Sequence, residues 1–266
     1  MIKSSLKKIA NALGFSISRV NSVNNADKEF FKSSNEDLDY FETPIGNYYL
    51  PNNAPNDHVI SIMKRGKYFD ENIINVAKKY IKPGTSVLDL GAHLGQMSIL
   101  FSKLVGPEGK IYSFDADDYI YEILKKNIAA NHCTNIQHFF GAVYNENDKM
   151  LYFPKPDVSK FGAYGSYGLQ PNTDKGREVK SITIDRLNIA GPISFMKIDV
   201  QGSDLFALEG AVETIKKNKM PIIFEFEQQF QNDFNTTFQD YIDFVNKINY
   251  KFIETIDGIN YLIMPK

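Results

Sequence analysis

From Ser86 onward, short apolar runs alternate with loops and helical segments, and this alternation restricts the fold more than any other feature of the sequence. It is typical of a parallel sheet that carries helices on both faces. Each run is mostly apolar, as expected for strands that are covered on both sides. A helix is predicted from Asp204 to Lys217, and the predicted strands cover residues 87–90, 110–114, 136–140, 194–198 and 221–226.

The C-terminal region follows a different pattern. A helix predicted over residues 237–248 is followed by two apolar runs, 251–256 and 259–264, with Asp257-Gly258 between them. Asp-Gly between two apolar runs is a strong signal for a β-hairpin. This ending resembles the seven-stranded sheet of class I methyltransferases that use S-adenosylmethionine (SAM), in which the last strand inserts antiparallel to its neighbours. We therefore expect an α/β fold with a Rossmann-like, seven-stranded, mostly parallel sheet, a C-terminal antiparallel hairpin and helices on both faces.

The chain is predicted to consist of an N-terminal segment and one α/β domain. Residues 1–40 are interpreted as a basic helix followed by a polar linker, and residues 41–266 as the domain, whose length suits one hydrophobic core. The segment 154–178 is rich in glycine and proline, which is typical of a loop that frames a substrate. The alternating runs on either side of it, 149–153 and 179–184, are predicted to pair as an edge ribbon.

Composition argues against several classes of protein. The formal net charge of -2 lacks the basic excess of a nucleic-acid binder. No apolar run reaches the roughly 18 residues that a membrane-spanning helix needs. Cys133 is the only cysteine, so an intramolecular disulfide is excluded and a reducing compartment is expected. We expect a cytoplasmic protein that acts on a small molecule, with an oligomer allowed and weak membrane contact through residues 1–20 as an alternative.

The first predicted strand, 87–90, leads into the loop Asp89-Leu90-Gly91-Ala92-His93-Leu94-Gly95. This loop is typical of a nucleotide-binding turn. The dinucleotide fingerprint G-x-G-x-x-G would need further glycines where His93 and Gln96 stand. Their absence matters less for SAM, which has no pyrophosphate to bring close to the backbone. The spacing therefore favours SAM over a nicotinamide cofactor.

Two carboxylates accompany this loop. Asp89 precedes Gly91 and suits the cationic methionyl part of SAM, and Asp115 ends the second strand, where a carboxylate can accept both ribose hydroxyl protons. The predicted cofactor-binding residues are Asp89, Gly91, Ala92, His93, Gly95, Gln96, Asp115, Ala116 and Ala142.

Several segments resemble the FkbM-type methyltransferases. They are SVLDLGAHLGQMSILFSKL, KIYSFDAD, VKSITIDRL, ISFMKIDVQGSDLFALEGA and PIIFEFE, which follow one another in order between about residues 65 and 265. The most specific part is the Thr-Ile-Asp block ahead of Lys197-Ile198-Asp199-Val200-Gln201-Gly202. The chain departs from the family at Gln201 and Asp204, where the family usually has two glutamates. The resemblance implies methylation of a hydroxyl oxygen on a sugar or a related small molecule.

Methyl transfer to an alkyl hydroxyl calls for a general base or a metal. Reacting groups in such a sheet lie beyond the carboxyl ends of the strands, where Asp199, Glu225 and Glu227 are found. We expect Asp199 nearest the acceptor hydroxyl, and either glutamate orienting the acceptor or sharing the base role. Asp199 with Glu225 as a magnesium site is an alternative that is not favoured, so no metal ligand is assigned.

Further residues are predicted to contact substrate or cofactor. His93 lies in the cofactor loop and is a third catalytic candidate, although a structural hydrogen bond explains it equally well. Lys197 is one step from Asp199 and is expected either to pair with a carboxylate or to reach solvent. The predicted substrate contacts are Tyr164, Ser166, Tyr167 and Lys197.

Two other functions remain open at this level. A nicotinamide-dependent oxidoreductase would share the sheet and Asp115, but His93, Gln96 and the terminal hairpin disfavour it. A non-catalytic nucleotide-binding protein is the second, because a fold does not fix a function.

Overall fold

A computed structural model of the protein describes residues 37–155 and 162–266. The predicted basic helix and membrane contact of residues 1–20 lie outside the described residues. The strands are β1 (Leu38–Thr43), β2 (Gly46–Pro51), β3 (Ser86–Leu90), β4 (Lys110–Asp115), β5 (Ile136–Phe140), β6 (Ala142–Val143), β7 (Met150–Phe153), β8 (Arg177–Ile182), β9 (Ile193–Ile198), β10 (Ile222–Glu225), β11 (Tyr250–Ile256) and β12 (Asn260–Pro265). The α-helices are α1 (His58–Lys64), α2 (Glu71–Tyr80), α3 (Gln96–Val105), α4 (Asp118–Ala130), α5 (Asp204–Glu209), α6 (Val212–Asn218), α7 (Gln231–Phe234) and α8 (Phe238–Lys247).

Seven strands form the central sheet, in the order β11-β12-β10-β9-β3-β4-β5. Strands β10, β9, β3, β4 and β5 are parallel to one another. Strand β12 lies between β10 and β11 and is antiparallel to both. The expected fold class, with its C-terminal antiparallel hairpin, is therefore confirmed.

Helices cover both faces of this sheet. Every residue of β3, β9 and β10 is buried, although successive side chains of a strand point to opposite faces. On one face Phe195 packs edge-on against Phe101 of α3, with ring centroids 6.0 Å apart. On the other, Met196 belongs to the same apolar cluster as Leu208 of α5 and Val245 of α8. The apolar runs identified in the sequence are thus core strands between two helical layers.

The helix predicted over 204–217 is wrong in one respect, because it is two helices, α5 and α6. The chain passes so close to Tyr144 at Gly210 that a Cβ there would lie 2.0 Å from the Tyr144 carbonyl oxygen. Asp185 then caps the second helix from outside, accepting hydrogen bonds from the backbone N–H groups of Glu213 and Thr214 at 3.0 and 2.8 Å. The close approach thus lies at the end of the first helix, and a carboxylate from outside caps the start of the second.

Two smaller sheets accompany the central one. Strands β1 and β2 form a hairpin that begins at Leu38, so residues 38–40 belong to a strand rather than to the predicted linker. Strands β7 and β8 pair antiparallel, as predicted, but they join β6 in a separate three-stranded sheet instead of extending the central sheet. Arg177 and Glu178 start β8, so the glycine-rich loop ends before them. No helix among the described residues is long and apolar enough to span a membrane.

Candidate active site

The loop between β3 and α3 lies directly on the end of β9. Gly91 has φ +82, and a Cβ on it would lie 1.8 Å from the Asp199 carbonyl oxygen. Only glycine adopts this conformation at so close an approach. Gly95, with φ +83, precedes α3, and a Cβ there would meet the Leu124 side chain at 2.7 Å. These two glycines shape the loop and bring it against the strand that carries Asp199.

Asp115 ends β4 and fixes the loop from the other side. Its Oδ2 accepts a hydrogen bond from the His93 backbone N–H at 2.8 Å, and its Oδ1 accepts one from the Asp117 N–H at 2.9 Å. Burial raises the pKa of Asp115 to about 7. Each carboxylate oxygen keeps a second lone pair, so the group still has the capacity to accept hydrogen bonds from a ligand.

A cavity of about 520 Å³ lies beyond the carboxyl ends of β3, β4, β9 and β10. Its volume is in the range of small-molecule sites, which is about 300–1,000 Å³. Every predicted cofactor, substrate and catalytic residue except Gly95 lines it. The lining includes Asp89, Gly91, Ala92, His93, Gln96, Asp115, Ala116, Ala142, Tyr164, Ser166, Tyr167, Lys197, Asp199, Glu225 and Glu227.

Lys197 connects the loop after β3 with Asp199. Its Nζ donates a hydrogen bond to the Gly91 carbonyl oxygen at 2.7 Å and lies 3.2 Å from Asp199 Oδ2 and 3.8 Å from Asp89 Oδ1. Only 5% of its side chain is exposed. Burial alone would lower the pKa of Lys197, but Asp199 and then Asp89 outweigh it and raise the pKa above its usual value. Lys197 is therefore a buried cation paired with carboxylates, not a lysine that reaches solvent.

Asp199 and Glu225 share one hydrogen-bond donor. Gln201 Nε2 donates to Asp199 Oδ1 and to Glu225 Oε2, both at 3.0 Å. Burial opposes ionisation of Asp199, but the Lys197 ammonium holds the pKa of Asp199 below its usual value. Burial and the charge of Asp199 raise the pKa of Glu225 to about 10. At neutral pH Asp199 is ionised and Glu225 is protonated.

His93 belongs to the loop between β3 and α3, and its ring lies next to the glycine-rich loop. Its backbone adopts φ 49, and the nearest atoms to a Cβ on Gly165 would be those of the His93 ring, 3.6 Å away. The ring nitrogen Nε2 is buried and has no hydrogen-bond partner among the described residues. Burial lowers the pKa of His93, so the ring is neutral at physiological pH. The ring therefore presents an unused polar atom in the cavity wall.

Gln96 lines the cavity, but its amide is used by the protein. Its Oε1 accepts a hydrogen bond from the Phe69 N–H at 2.8 Å, and its Nε2 donates to the Lys67 carbonyl oxygen at 3.0 Å. Gln96 therefore ties the start of α3 to the segment before α2. This contact explains why the position of a fingerprint glycine is held by a larger polar residue.

Asp57, which is 1% exposed, was not predicted as a site residue. Its Oδ1 caps α1 by accepting from the Ile60 N–H at 3.0 Å, and its Oδ2 accepts from the Tyr164 N–H at 2.9 Å. The Tyr164 hydroxyl donates to Asn53 Oδ1 at 3.0 Å. An aspartate directly before an apolar periodic run is a recognisable N-cap signal. Its second partner, in the glycine-rich loop, has no signal in the sequence.

Two further acidic residues near Asp199, Asp70 and Asp204, were not predicted as site residues. Asp70 lines the cavity, and burial followed by the charge of Asp199 raises the pKa of Asp70 to about 7. Asp204, fully buried at the start of α5, accepts a hydrogen bond from the Glu225 backbone N–H at 3.3 Å. Burial and Asp199 raise its pKa to about 7 as well. Within residues 37–155 and 162–266, no group of histidine, cysteine and acidic side chains is arranged to hold a metal ion.

Comparison with known proteins decides which family this geometry belongs to. A sequence model described as the methyltransferase FkbM domain matches residues 89–252, which span the loop, Asp115 and the Asp199–Glu225 group. The chain belongs to the FkbM methyltransferase family. The resemblance seen in the sequence segments is thereby confirmed.

Other likenesses are shorter or more remote. A stretch of 59 residues, 22% of this chain, is 41% identical to the ribosomal protein L11 methyltransferase of Dictyoglomus turgidum, and spans only 19% of that protein's length. The FkbM methyltransferase structure from Methylobacillus flagellatus is 14% identical with a TM-score of 0.44, and the match covers 70% of this chain and 48% of that one. Fibrillarin from Aeropyrum pernix, solved with SAM, is 13% identical with a TM-score of 0.42, over 86% of this chain and 82% of that one. The family assignment rests on the domain match.

Proposed function

We propose that this FkbM methyltransferase uses SAM and methylates a hydroxyl oxygen of a sugar or a related small molecule. The observation that carries the proposal is the position of Asp115. This carboxylate is held by two backbone N–H groups beside the loop that follows β3, and it lines the same cavity as Asp199 and Glu225. A ribose bound at Asp115 would place the rest of the cofactor along the loop, toward the Asp199 end.

The methionyl end of SAM carries an ammonium group, and Asp89 is suited to meet it. Asp89 Oδ2 accepts a hydrogen bond from Ser98, whereas Oδ1 is buried without a hydrogen-bond partner among the described residues. The nearest cation to Oδ1 is Lys197, 3.8 Å away and beyond hydrogen-bond distance. A buried carboxylate oxygen that lacks a donor is costly unless a ligand supplies one. Asp89 thus fits a cationic ligand group.

The acceptor would bind at the other end, between Asp199 and the two glutamates. Ionised Asp199 accepts the hydrogen of an incoming hydroxyl, whereas protonated Glu225 can donate to a neighbouring oxygen of the same molecule. Glu227 is half-buried in the same wall. Among the described residues, Lys197 is the only lysine or arginine that lines the cavity, and its ammonium group is already paired. This charge pattern supports an uncharged polyhydroxyl acceptor and argues against a nucleic acid.

The chain's part in the reaction is alignment and proton acceptance. SAM, when bound, supplies a methyl group attached to a positively charged sulfur. Holding the acceptor oxygen in line with that group supplies most of the rate enhancement. Asp199 would accept the hydroxyl proton while the acceptor oxygen takes the methyl group and the sulfur keeps the electron pair of its former bond. The Lys197 ammonium lowers the pKa of Asp199, so Asp199 would be a weak base and the proton would leave late in the transfer.

A mass measurement tests this function. The full chain is incubated with SAM and a panel of free and nucleotide-linked sugars, and each product is weighed for the gain of one methyl group. Methyl transfer to a hydroxyl compound is the expected result, with Asp199→Asn as the variant that loses it. Methyl gain only on amines, carboxylates or RNA would overturn the O-methyl assignment while leaving the family intact. A nicotinamide-dependent oxidation of the same panel would revive the oxidoreductase alternative.

A further inference from the structure

The turn after β9 carries a side chain that the proposed function does not yet use. Gln201 has φ 52 and Gly202 has φ 92, so two successive residues are left-handed and the chain reverses sharply. A Cβ on Gly202 would meet Phe230 at 2.6 Å, and a Cβ on Gly168 would lie 2.5 Å from the Gln201 carbonyl oxygen. Close packing therefore fixes the backbone of Gln201 from both sides. A glutamine adopts this unusual conformation only because its surroundings enforce it.

The Gln201 amide occupies the space between two carboxyl groups. Its Nε2 lies 3.0 Å from Asp199 Oδ1 and 3.0 Å from Glu225 Oε2, so the two oxygens are at most twice that distance apart. An NH₂ group has two hydrogens, and each is directed to one carboxyl group. Only this orientation of the amide suits ionised Asp199, because the amide oxygen would repel it.

Within the described part of the chain, no other side chain is hydrogen-bonded to both Asp199 and Glu225. Lys197 reaches Asp199 through the opposite oxygen, Oδ2, at 3.2 Å, and Glu225 receives no ion pair from it. A glutamate in place of Gln201 would add a third carboxyl group and remove both hydrogen-bond donors. Carboxylate oxygens converging in this way are the ligands that a hard divalent cation prefers. A neutral amide donor makes a cation unnecessary.

We propose that Gln201 is a positioning residue whose amide holds Asp199 and Glu225 together at the acceptor end of the cavity and fills the place that a bridging divalent cation would need. The inference rests on the proposed function for the identity of this end as the acceptor site. Gln201 stands where the family resemblance places a glutamate.

Binding of Mn²⁺ to the full chain tests the proposal without knowledge of the acceptor. Free Mn²⁺ is followed by electron paramagnetic resonance in the parent, in Gln201→Glu and in the control Gln239→Glu. Gln239 is exposed on α8 and donates to Asp243 Oδ1 at 2.8 Å, so the control makes the same substitution at another glutamine–carboxylate contact. We expect Gln201→Glu to take up one Mn²⁺ per chain, and the parent and control to take up none. Equal uptake by the parent and Gln201→Glu, or none by either, overturns the proposal.

A second variant tests whether the Gln201 amide positions Glu225, and it keeps the proposal testable if Gln201→Glu fails to fold. Gln201→Met keeps the length of the side chain and removes both donors. The carbon-13 carboxyl resonance of Glu225, assigned by its loss in Glu225→Gln, is expected to shift between the parent and Gln201→Met, because the amide contact disappears. An unchanged resonance overturns the positioning role.

Binding of S-adenosylhomocysteine, measured for every variant, distinguishes a failure of the role of Gln201 from a failure of the proposed function. If S-adenosylhomocysteine binding is retained but the Mn²⁺ or carbon-13 prediction fails, only the role of Gln201 is overturned. Absence of binding by the parent contradicts the proposed function instead.

Discussion

Lys197→Met is the perturbation that most directly probes the charge network of the site. Methionine keeps most of the side-chain volume and removes the ammonium group, which is 3.2 Å from Asp199 Oδ2 and 3.8 Å from Asp89 Oδ1. Removing one partner of a buried ion pair costs about 3–5 kcal/mol, because the other charge is left uncompensated. Asp199 is 26% exposed and water relieves part of its charge, whereas Asp89 is fully buried. We therefore expect a loss near the lower limit, about 3 kcal/mol.

The assay is urea denaturation of the parent, Lys197→Met and a matched control, Lys110→Met. Lys110 is exposed at the start of β4 in the same sheet, so its substitution should change the free energy of unfolding by less than about 0.5 kcal/mol. Adding Asp199→Asn to Lys197→Met should recover part of the loss, because it removes one of the unpaired charges. A loss for Lys197→Met no larger than that of the control would refute the buried network, as would a double variant less stable than the single one.

Three further outcomes follow from the geometry. Asp199→Asn should leave S-adenosylhomocysteine affinity nearly unchanged and slow single-turnover methyl transfer by about 10²–10⁴-fold; a rate within a few-fold of the parent would remove Asp199 as the proton acceptor. Gly91→Ala should destabilise the protein by more than Gly84→Ala in denaturation, because the left-handed φ costs about 1–3 kcal/mol at both positions but only at Gly91 does the added Cβ also meet the Asp199 carbonyl oxygen; equal losses would contradict the close approach. The pKa values of Asp70 and Asp204 are raised to about 7 in the folded protein from about 3.9 in the unfolded chain. Their contribution to stability is therefore complete below pH 4 and is lost as the pH rises through 7. Denaturation should show a lower stability at pH 8 than at pH 5, and the opposite order would contradict the raised pKa values.

Much of the site could be predicted because its residues stand at the ends of recognisable strands. Asp115 and Asp199 follow apolar runs, and in a parallel sheet the carboxyl ends of neighbouring strands meet at one edge. The structure brings both to one cavity for that reason. The hairpin at Asp257-Gly258 could be predicted equally well, since its signal lies in adjacent residues.

What the sequence did not reveal depends on contacts between distant segments. Asp57 reaches Tyr164 across 107 residues, and the cap at the start of α6 comes from Asp185, which lies outside both α5 and α6. Gln201 seemed only a departure from the family pattern, because its bridging contact with Glu225 needs the three-dimensional neighbourhood of β9 and β10. Local patterns identify elements and strand ends, whereas long-range hydrogen bonds decide how each polar group is used.

Calorimetry of cofactor binding tests whether the cavity binds SAM through Asp115. SAM and NAD are each titrated into the parent and into Asp115→Asn, which keeps the shape of the side chain but replaces an acceptor oxygen by a donor. We expect saturable SAM binding by the parent, no NAD binding, and a loss of about 1–3 kcal/mol of SAM binding free energy in the variant. Binding of NAD without a response to SAM, or SAM affinity that is the same in the parent and the variant, would contradict it.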